Sequence, residues 1–266
     1  MVDPFTELAS PSVSDYALCT LHYALSVAIL IVADVHANLA AFGSVLAQAQ
    51  SEAGVDAIWC LGDLVRYGPE TSACISLLRR YPHLMVAGNH DLAAAGVLGM
   101  EDFNPVAAEA ARWTAEQLAE EDQAFIRGLP LTLEQGEFTL VHGSLRDPVW
   151  DYLMSESLAA THLSRQPTAY GLVGHSHFPL LYYEGGQELA LEDAASIDLN
   201  ASRFVANPGG LGQPRDGDPR SPYALLDLDA RRLTFRRAAY DIEATQAKIL
   251  AAGLPSFLAD RLALGR

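Results

Sequence analysis

Two rhythms of apolar and polar positions divide the chain. Before about residue 130, short apolar runs alternate with longer amphipathic ones. "SVAILIVA" (26–33) reads as a buried strand, and Asn38 opens a helical run to Ala53. "DAIWC" (56–60) is a second strand, 70–81 a second helix, and "LMVA" (84–87) a third strand. This β-α-β-α-β order predicts parallel neighbours in one sheet. Asn104 followed by Pro105 has the form of an N-cap with a first-turn proline, introducing a helix through about Asp122 with Trp113 on its buried face. From 137 onward the runs shorten to strands: "FTLVHG", "AYGLVGH", "LLYYEG", "ELALE", "RFVAN", "YALLDL" and "RLTFRRA". Two helices finish the chain, one at 241–252, stopped by Gly253 and Pro255, and one from Ser256. No repeat or low-complexity linker interrupts this order; "GQPRDGDPRSP" (212–222) is a turn-rich connection. A βα-alternating half followed by a β-rich half predicts an α/β (α+β) fold. Its expected form is a four-layer αββα sandwich of two mixed sheets, face to face with helices outside.

Composition narrows the class. At 266 residues and 50% hydrophobic content, one large domain is expected over 26–266. Residues 1–25 are expected to be an accessory extension or the product of a misassigned start codon. The stretch 17–33 is nearly all apolar, but it has no basic flank and runs directly into Asp34 and His36, which argues against a targeting or membrane-spanning segment. Net charge is −16, Lys248 is the one lysine, and the first 65 residues contain no Lys or Arg. That balance repels nucleic-acid backbones and anionic membranes. Three cysteines, Cys19, Cys60 and Cys74, do not form a disulfide framework and point to a reducing compartment, the cytoplasm.

The polar residues that matter collect where predicted strands end. The first ends "ADVHAN" (Asp34, His36), the second "LGDLV" (Asp63), the third "AGNHDL" (Asn89, His90, Asp91). Later strands end "LVHGS" (His142) and "LVGHSH" (His175, His177), so five of the eight histidines sit at such points. In extended backbone, residues i and i+2 share a face, which predicts that Asp34 meets His36 and that His175 meets His177. Strand ends of α/β sheets are where ligand crevices form. Glycines 62, 88, 143 and 174 allow close approach there. Any one of these elements is an ordinary turn when taken alone; their recurrence at every strand end is not accidental. As donors they supply imidazole nitrogens, carboxylate oxygens and an amide oxygen but no thiolate, which suits divalent Mn, Fe, Zn, Co, Ni or Mg. Seven donors exceed one ion's needs, so two ions sharing a carboxylate are expected.

The ordered set "DVHAN", "GDLVRYGP", "GNHD", "VHGS", "GHSH" and "NPGGLGQPRDGDPR" resembles the calcineurin-like metallophosphoesterases, in their small prokaryotic phosphodiesterase and phosphatase branch, from about residue 26 to the C-terminus. The resemblance implies that Asp34, His36 and His177 hold one metal, that Asn89, His142 and His175 hold a second, and that Asp63 bridges them. It implies hydroxide attack on a small phosphorylated substrate, with His90 as the acid near the leaving group, Asp91 orienting its ring, and Asn89 near the substrate. Arg66 is either a contact to substrate phosphate or a surface arginine. Arg66 and Tyr67 replace the Asp-Arg pair of the protein serine/threonine phosphatases, which sets the chain apart from that subgroup and from the symmetrical dinucleoside tetraphosphatases. Ala37 stands where a glycine is usual, and Gly210 where serine is frequent.

Three rivals are weighed from the same residues. A serine hydrolase would need a glycine where "GHSHF" has Phe178, and a P-loop would need a Gly-rich run before Lys248. A non-catalytic metal-binding interaction scaffold of the same fold is the remaining alternative. Retention of Asp34, His36, Asp63, Asn89, His90, His142, His175 and His177 argues against it.

Overall fold

The structure is a computed structural model that describes residues 27–101, 103–186, 188–189, 191, 193–200 and 202–266. The predicted accessory segment 1–25 lies outside the described residues.

The first half follows the predicted alternation: β1 (Ala28–Val32), α1 (Leu39–Ala53), β2 (Ala57–Cys60), α2 (Thr71–Leu78), β3 (His83–Met85) and a short α3 (Asn89–Ala94). Asn38 caps α1, its side chain accepting from the Ala41 amide at 3.1 Å. Asn104 does the same for α4 (Pro105–Gln117), accepting from Ala107 at 2.9 Å. The single helix expected through Asp122 is two. Leu118 turns extended (φ −71°, ψ 125°), and a separate α5 (Glu120–Arg127) begins with three acidic residues at its positive end.

The second half runs β4 (Thr132–Gln135), β5 (Phe138–Val141), α6 (Glu156–Arg165), β6 (Tyr170–Leu172), β7 (Leu180–Tyr183), β8 (Glu188–Leu189), β9 (Ser196–Asp198), β10 (Phe204–Asn207), β11 (Ser221–Asp227), β12 (Arg232–Ala238), α7 (Ile242–Ala251) and α8 (Ser256–Asp260). Here α6 interrupts what reads as strand-only sequence, capped by Ser155, whose side chain accepts from Leu158.

The strands form two six-stranded mixed sheets, in the orders β3-β2-β1-β11-β12-β9 and β4-β5-β6-β10-β7-β8. In the first, β1, β2 and β3 are parallel and β11 adds antiparallel to β1, pairing Leu30 with Leu225. In the second, β5, β6 and β10 are parallel. Period-two alternation explains the layering. Ile29, Ile31 and Ala33 face the second sheet and pack among Phe138, Leu140, Tyr170 and Phe204. Leu30 and Val32 face the other way, into Phe42, Val45 and Ile75 of α1 and α2. On the outer side of the second sheet, Val141, Val173 and Val205 are covered by Ala159 and Leu163 of α6. Sheets therefore lie between helices, the predicted αββα arrangement.

Candidate metal centre

Every residue singled out at a strand end lies at one end of the sandwich, on the loops that leave the parallel strands. Asp34 and His36 follow β1, Asp63 follows β2, Asn89 to Asp91 form the first turn of α3 after β3, His142 follows β5, and His175 and His177 follow β6. All are buried.

The convergence does not come from extended backbone. Asp34 (φ 53°), His36 (48°), Asp63 (55°), His175 (66°) and His177 (62°) are all left-handed, as are Ala37, Arg66 and Tyr67. Among the described residues, eight of the ten non-glycine residues with positive φ belong to this region. Such backbone costs an L-residue of order 1–2 kcal/mol, and it persists where surrounding bonds fix it and function uses it. Here the bonds are visible: the amides of Asp34, His36 and Ala37 donate to the carbonyls of Gly62, Asp63 and Leu64 at 2.9–3.0 Å, clamping the first loop to the second. Gly88 completes the clamp, since a Cβ there would lie 2.1 Å from Asp63 Oδ1.

Two donor sets result, and Asp63 belongs to both. In one, His36 Nε2 lies 3.1 Å from His177 Nε2, and His177 Nε2 lies 3.3 Å from Asp34 Oδ1. In the other, His142 Nε2 lies 3.1 Å from His175 Nδ1, 3.2 Å from Asn89 Oδ1 and 3.3 Å from Asp63 Oδ2. Asp63 Oδ2 is also 4.0 Å from His36 Nε2. Each carboxylate divides its oxygens. Asp34 Oδ2 accepts from the His175 amide at 3.0 Å and Asp63 Oδ1 from the His90 amide at 2.9 Å. Asp34 Oδ1 and Asp63 Oδ2 are left buried without a hydrogen-bond donor.

This arrangement fits divalent cations. His142 Nδ1 donates to the Leu61 carbonyl at 2.8 Å and His177 Nδ1 to the Gln213 carbonyl at 2.7 Å. With its Nδ1 proton so placed, His177 Nε2 presents a lone pair toward His36 Nε2 and Asp34 Oδ1. Burial opposes a charge on His142, but the Asp63 and Asp34 carboxylates raise it to about 9, so its Nε2 holds a proton toward Asp63 that a cation would displace. A backbone carbonyl behind each imidazole is the usual support for a metal-ligating histidine. Burial depresses His36 and His175 to about 3, so both imidazoles are neutral and free to ligate. Burial, with the nearby Asp63 charge adding to it, pushes Asp34 up to about 8 in the cation-free protein. Two carboxylates this close and this dry cannot both ionise without added positive charge.

Asp91 has a different place from the one expected. Its Oδ2 accepts from the amides of Asp63 (2.7 Å) and Gly88 (3.0 Å), and its Oδ1 from Val65 (3.1 Å). Both oxygens are occupied by backbone, so Asp91 braces the Asp63 loop and does not orient the His90 ring. The contact to that ring is Tyr67, whose hydroxyl lies 3.4 Å from His90 Nε2. Nor is Arg66 a surface arginine. It is 0% exposed, lies 4.1 Å over the Phe103 ring, and donates through Nη2 to the Ala107 carbonyl. Gly210 packs on His177, where a Cβ would come within 2.4 Å of Nδ1.

Two residues beside the donors escaped sequence reasoning. Tyr152 stacks on His175 with centroids 4.0 Å apart. Arg215 reaches the site from the turn-rich connection, and its charge acts on Asp34, His36 and His177. The available signal was local: Arg215 sits in "GQPRDGDPR", part of the set that carried the family resemblance.

Comparison with known proteins agrees with this geometry. Residues 27–231 match the calcineurin-like phosphoesterase superfamily domain. A metallophosphoesterase from Sphaerobacter thermophilus is 42% identical, with a TM-score of 0.83, over 91% of this chain and 100% of that one. An uncharacterized protein of Methanocaldococcus jannaschii is 33% identical over 90% of this chain and 98% of its own. A symmetrical bis(5'-nucleosyl)-tetraphosphatase of Glaesserella parasuis is 32% identical over 46% of each chain.

Proposed function

The chain belongs to the calcineurin-like phosphoesterase superfamily, and from that premise we propose that it is a dinuclear metal-dependent hydrolase of phosphoester bonds in small phosphorylated substrates. The observation that carries this reading is the pair of donor sets that share Asp63 Oδ2. Asp34, His36 and His177 would hold one divalent cation, Asn89, His142 and His175 the other, and Asp63 both. Two divalent cations bound by such donors lower the pKa of water towards neutrality and neutralise the charge on phosphoryl oxygens.

The remaining work falls to the chain's own side chains. His90 stands at the junction of the sets, its Nε2 3.9 Å from Asp63 Oδ2. We assign it the donation of a proton to the departing oxygen, a role typically worth ~10²–10⁴ in rate. Tyr67 positions the ring. Asn89, ligand and neighbour of His90, also faces the substrate, and buried Arg66 contributes positive charge behind Tyr67. Manganese, iron, zinc, cobalt, nickel and magnesium all suit the nitrogen and oxygen donors. No helix among the described residues is long and apolar enough to cross a membrane, and Cys60 and Cys74 are buried free thiols; a cytoplasmic site of action is part of the proposal.

The test is metal analysis of the purified protein together with turnover of bis(p-nitrophenyl) phosphate and p-nitrophenyl phosphate. Two equivalents of metal with hydrolysis of either ester, both lost in Asp63→Ala, is the expected result. A well-folded protein that hydrolyses neither ester, with or without bound metal, would instead be the interaction scaffold.

A further inference from the structure

Four imidazoles serve the two donor sets, and they are held in two ways. His142 and His177 each donate Nδ1 to a backbone carbonyl, of Leu61 and Gln213 respectively. His36 Nδ1 and His175 Nε2 are buried with no such bond; the carbonyls of Val65 and Trp150 act on them from beyond hydrogen-bond geometry. What these two have instead is a tyrosine. The Tyr67 ring lies 4.6 Å from that of His36, tilted by 56°, and the Tyr152 ring lies 4.0 Å from that of His175 at 29°, close to a parallel stack. Each set therefore joins one imidazole fixed by a carbonyl to one covered by a phenol ring: His177 to His36, and His142 to His175.

Tyr67 is shared with His90, whereas the ring contact of Tyr152 is with His175 alone among the described residues. A loop that closes on itself puts Tyr152 there. The chain leaves β5 at His142, and the amides of Gly143 and Ser144 donate to the carbonyls of Pro148 and Asp147 at 2.7 and 2.9 Å. A Cβ on Gly143 would lie 2.7 Å from the Asp147 carbonyl oxygen, so the turn closes this tightly only on glycine. Asp151, beside the tyrosine, accepts from Ser144 Oγ at 2.6 Å and from Arg146 Nε at 2.8 Å. The loop thus starts on one ligand of the Asn89, His142 and His175 set and ends on another. His175 is 2% exposed and Tyr152 48%, so the tyrosine ring roofs the imidazole and its far side meets water. An aromatic face attracts positive charge, and an imidazole that gives its lone pair to a cation takes on part of that charge. The stack therefore favours the ligated form of His175 over the free one.

We propose that Tyr152 is a positioning residue for one metal site: its ring holds the His175 imidazole with Nδ1 aimed at the cation shared with Asn89, His142 and Asp63, and so sets the affinity of that cation and not of the one on Asp34, His36 and His177. The ring replaces the backbone carbonyl that His175 lacks. Removing such a support from a metal-ligating histidine typically costs 10–100-fold in affinity. This inference rests on the dinuclear reading above for the existence of two cations, and on nothing in that reading about phosphoester hydrolysis.

The experiment is calorimetric titration of the full-length protein, stripped of metal with EDTA, with manganese(II). Tyr152→Leu and Tyr152→Met fill the space without an aromatic face; each should weaken one of two affinities about tenfold and leave the other within about twofold. Tyr152→Phe keeps the ring and should hold both within about twofold of wild type. In His142→Ala, which disables the set that Tyr152 serves, adding Tyr152→Leu should change the remaining affinity by no more than about twofold. Equal loss at both sites, aliphatic variants that match Tyr152→Phe, or a loss that persists in the His142→Ala background would overturn the proposal. Thermal melts of the metal-free variants, matched to wild type, separate these effects from unfolding. Uptake of one ion by wild type refutes the dinuclear reading; a tenfold loss of that ion in Tyr152→Leu still supports the role of the tyrosine, and no loss removes it. Uptake of none removes both. Turnover of bis(p-nitrophenyl) phosphate is scored separately, and an inactive protein that shows the Tyr152 effect refutes the hydrolase reading alone.

Discussion

Tyr67 Oη lies 3.4 Å from His90 Nε2 and is the group that meets the polar edge of that imidazole, because both Asp91 oxygens are committed to main-chain amides. His90 and Asp91 are adjacent in sequence and do separate work.

His90→Ala should therefore keep its metal content while losing ~10²–10⁴ in turnover of esters with poor, alkyl leaving groups. Aryl leaving groups such as p-nitrophenolate need little protonation and should be spared most of that loss. Steady-state rates across a series of leaving groups check the assignment; a loss of equal size for every ester removes it.

Asp91→Ala should act on stability. It strands three buried amides, each costing about 1–3 kcal/mol when unsatisfied, and frees the loop that carries Asp63. A fall of at least about 3 kcal/mol in denaturant-measured stability is expected, with weaker metal uptake in whatever remains folded. Unchanged stability would mean that the brace is dispensable.

Ala37→Gly tests the left-handed backbone directly. Ala37 has φ +52° and is fully buried, in a loop fixed by main-chain bonds. Relief of the ~1–2 kcal/mol left-handed cost exceeds the ~0.5–1 kcal/mol entropy penalty of glycine. A gain of roughly 0.5–1 kcal/mol, or a few degrees in Tm, should appear in thermal melts.

His162 should make stability depend on mild acid. Its ring is buried in α6, with Nδ1 accepting from the Leu145 amide at 3.2 Å, and burial depresses it from 6.5 to about 4. Between those values the unfolded chain binds a proton that the folded one refuses, so stability falls as pH drops below about 6.5 and levels near 4. The difference is at most about 3 kcal/mol. Denaturation midpoints of His162→Gln should slope less steeply than wild type over that range; parallel slopes would contradict the prediction.

Much of this was readable in advance, and the exceptions have physical reasons. β1, β2 and α1 announce themselves because continuous burial and the Asn38 cap leave local and long-range preferences in agreement. β4 escapes because it is a half-exposed edge strand with little apolar content. α6 escapes because its face toward the sheet is carried by few residues, Ala159, His162 and Leu163. The break between α4 and α5 has no glycine or proline to mark it. At the centre, donor chemistry was legible because five polar elements recur at strand ends. The reason given for their convergence was not the one that operates: shared faces of extended strands are replaced by left-handed turns held by neighbouring loops. Backbone sign leaves little trace in sequence when non-glycine residues adopt it. Asp91's role depends on which amides surround it, a matter of tertiary packing.

The donors come from both sheets: Asp34, Asp63 and Asn89 leave the strands of one, His142, His175 and His177 those of the other. Neither half of the sandwich can present a complete coordination set alone. Nucleation within a single sheet would leave the centre unmade, and only docking of the halves creates it. Cations held there would in consequence rivet the two sheets across their seam, and removing them with a chelator would loosen it.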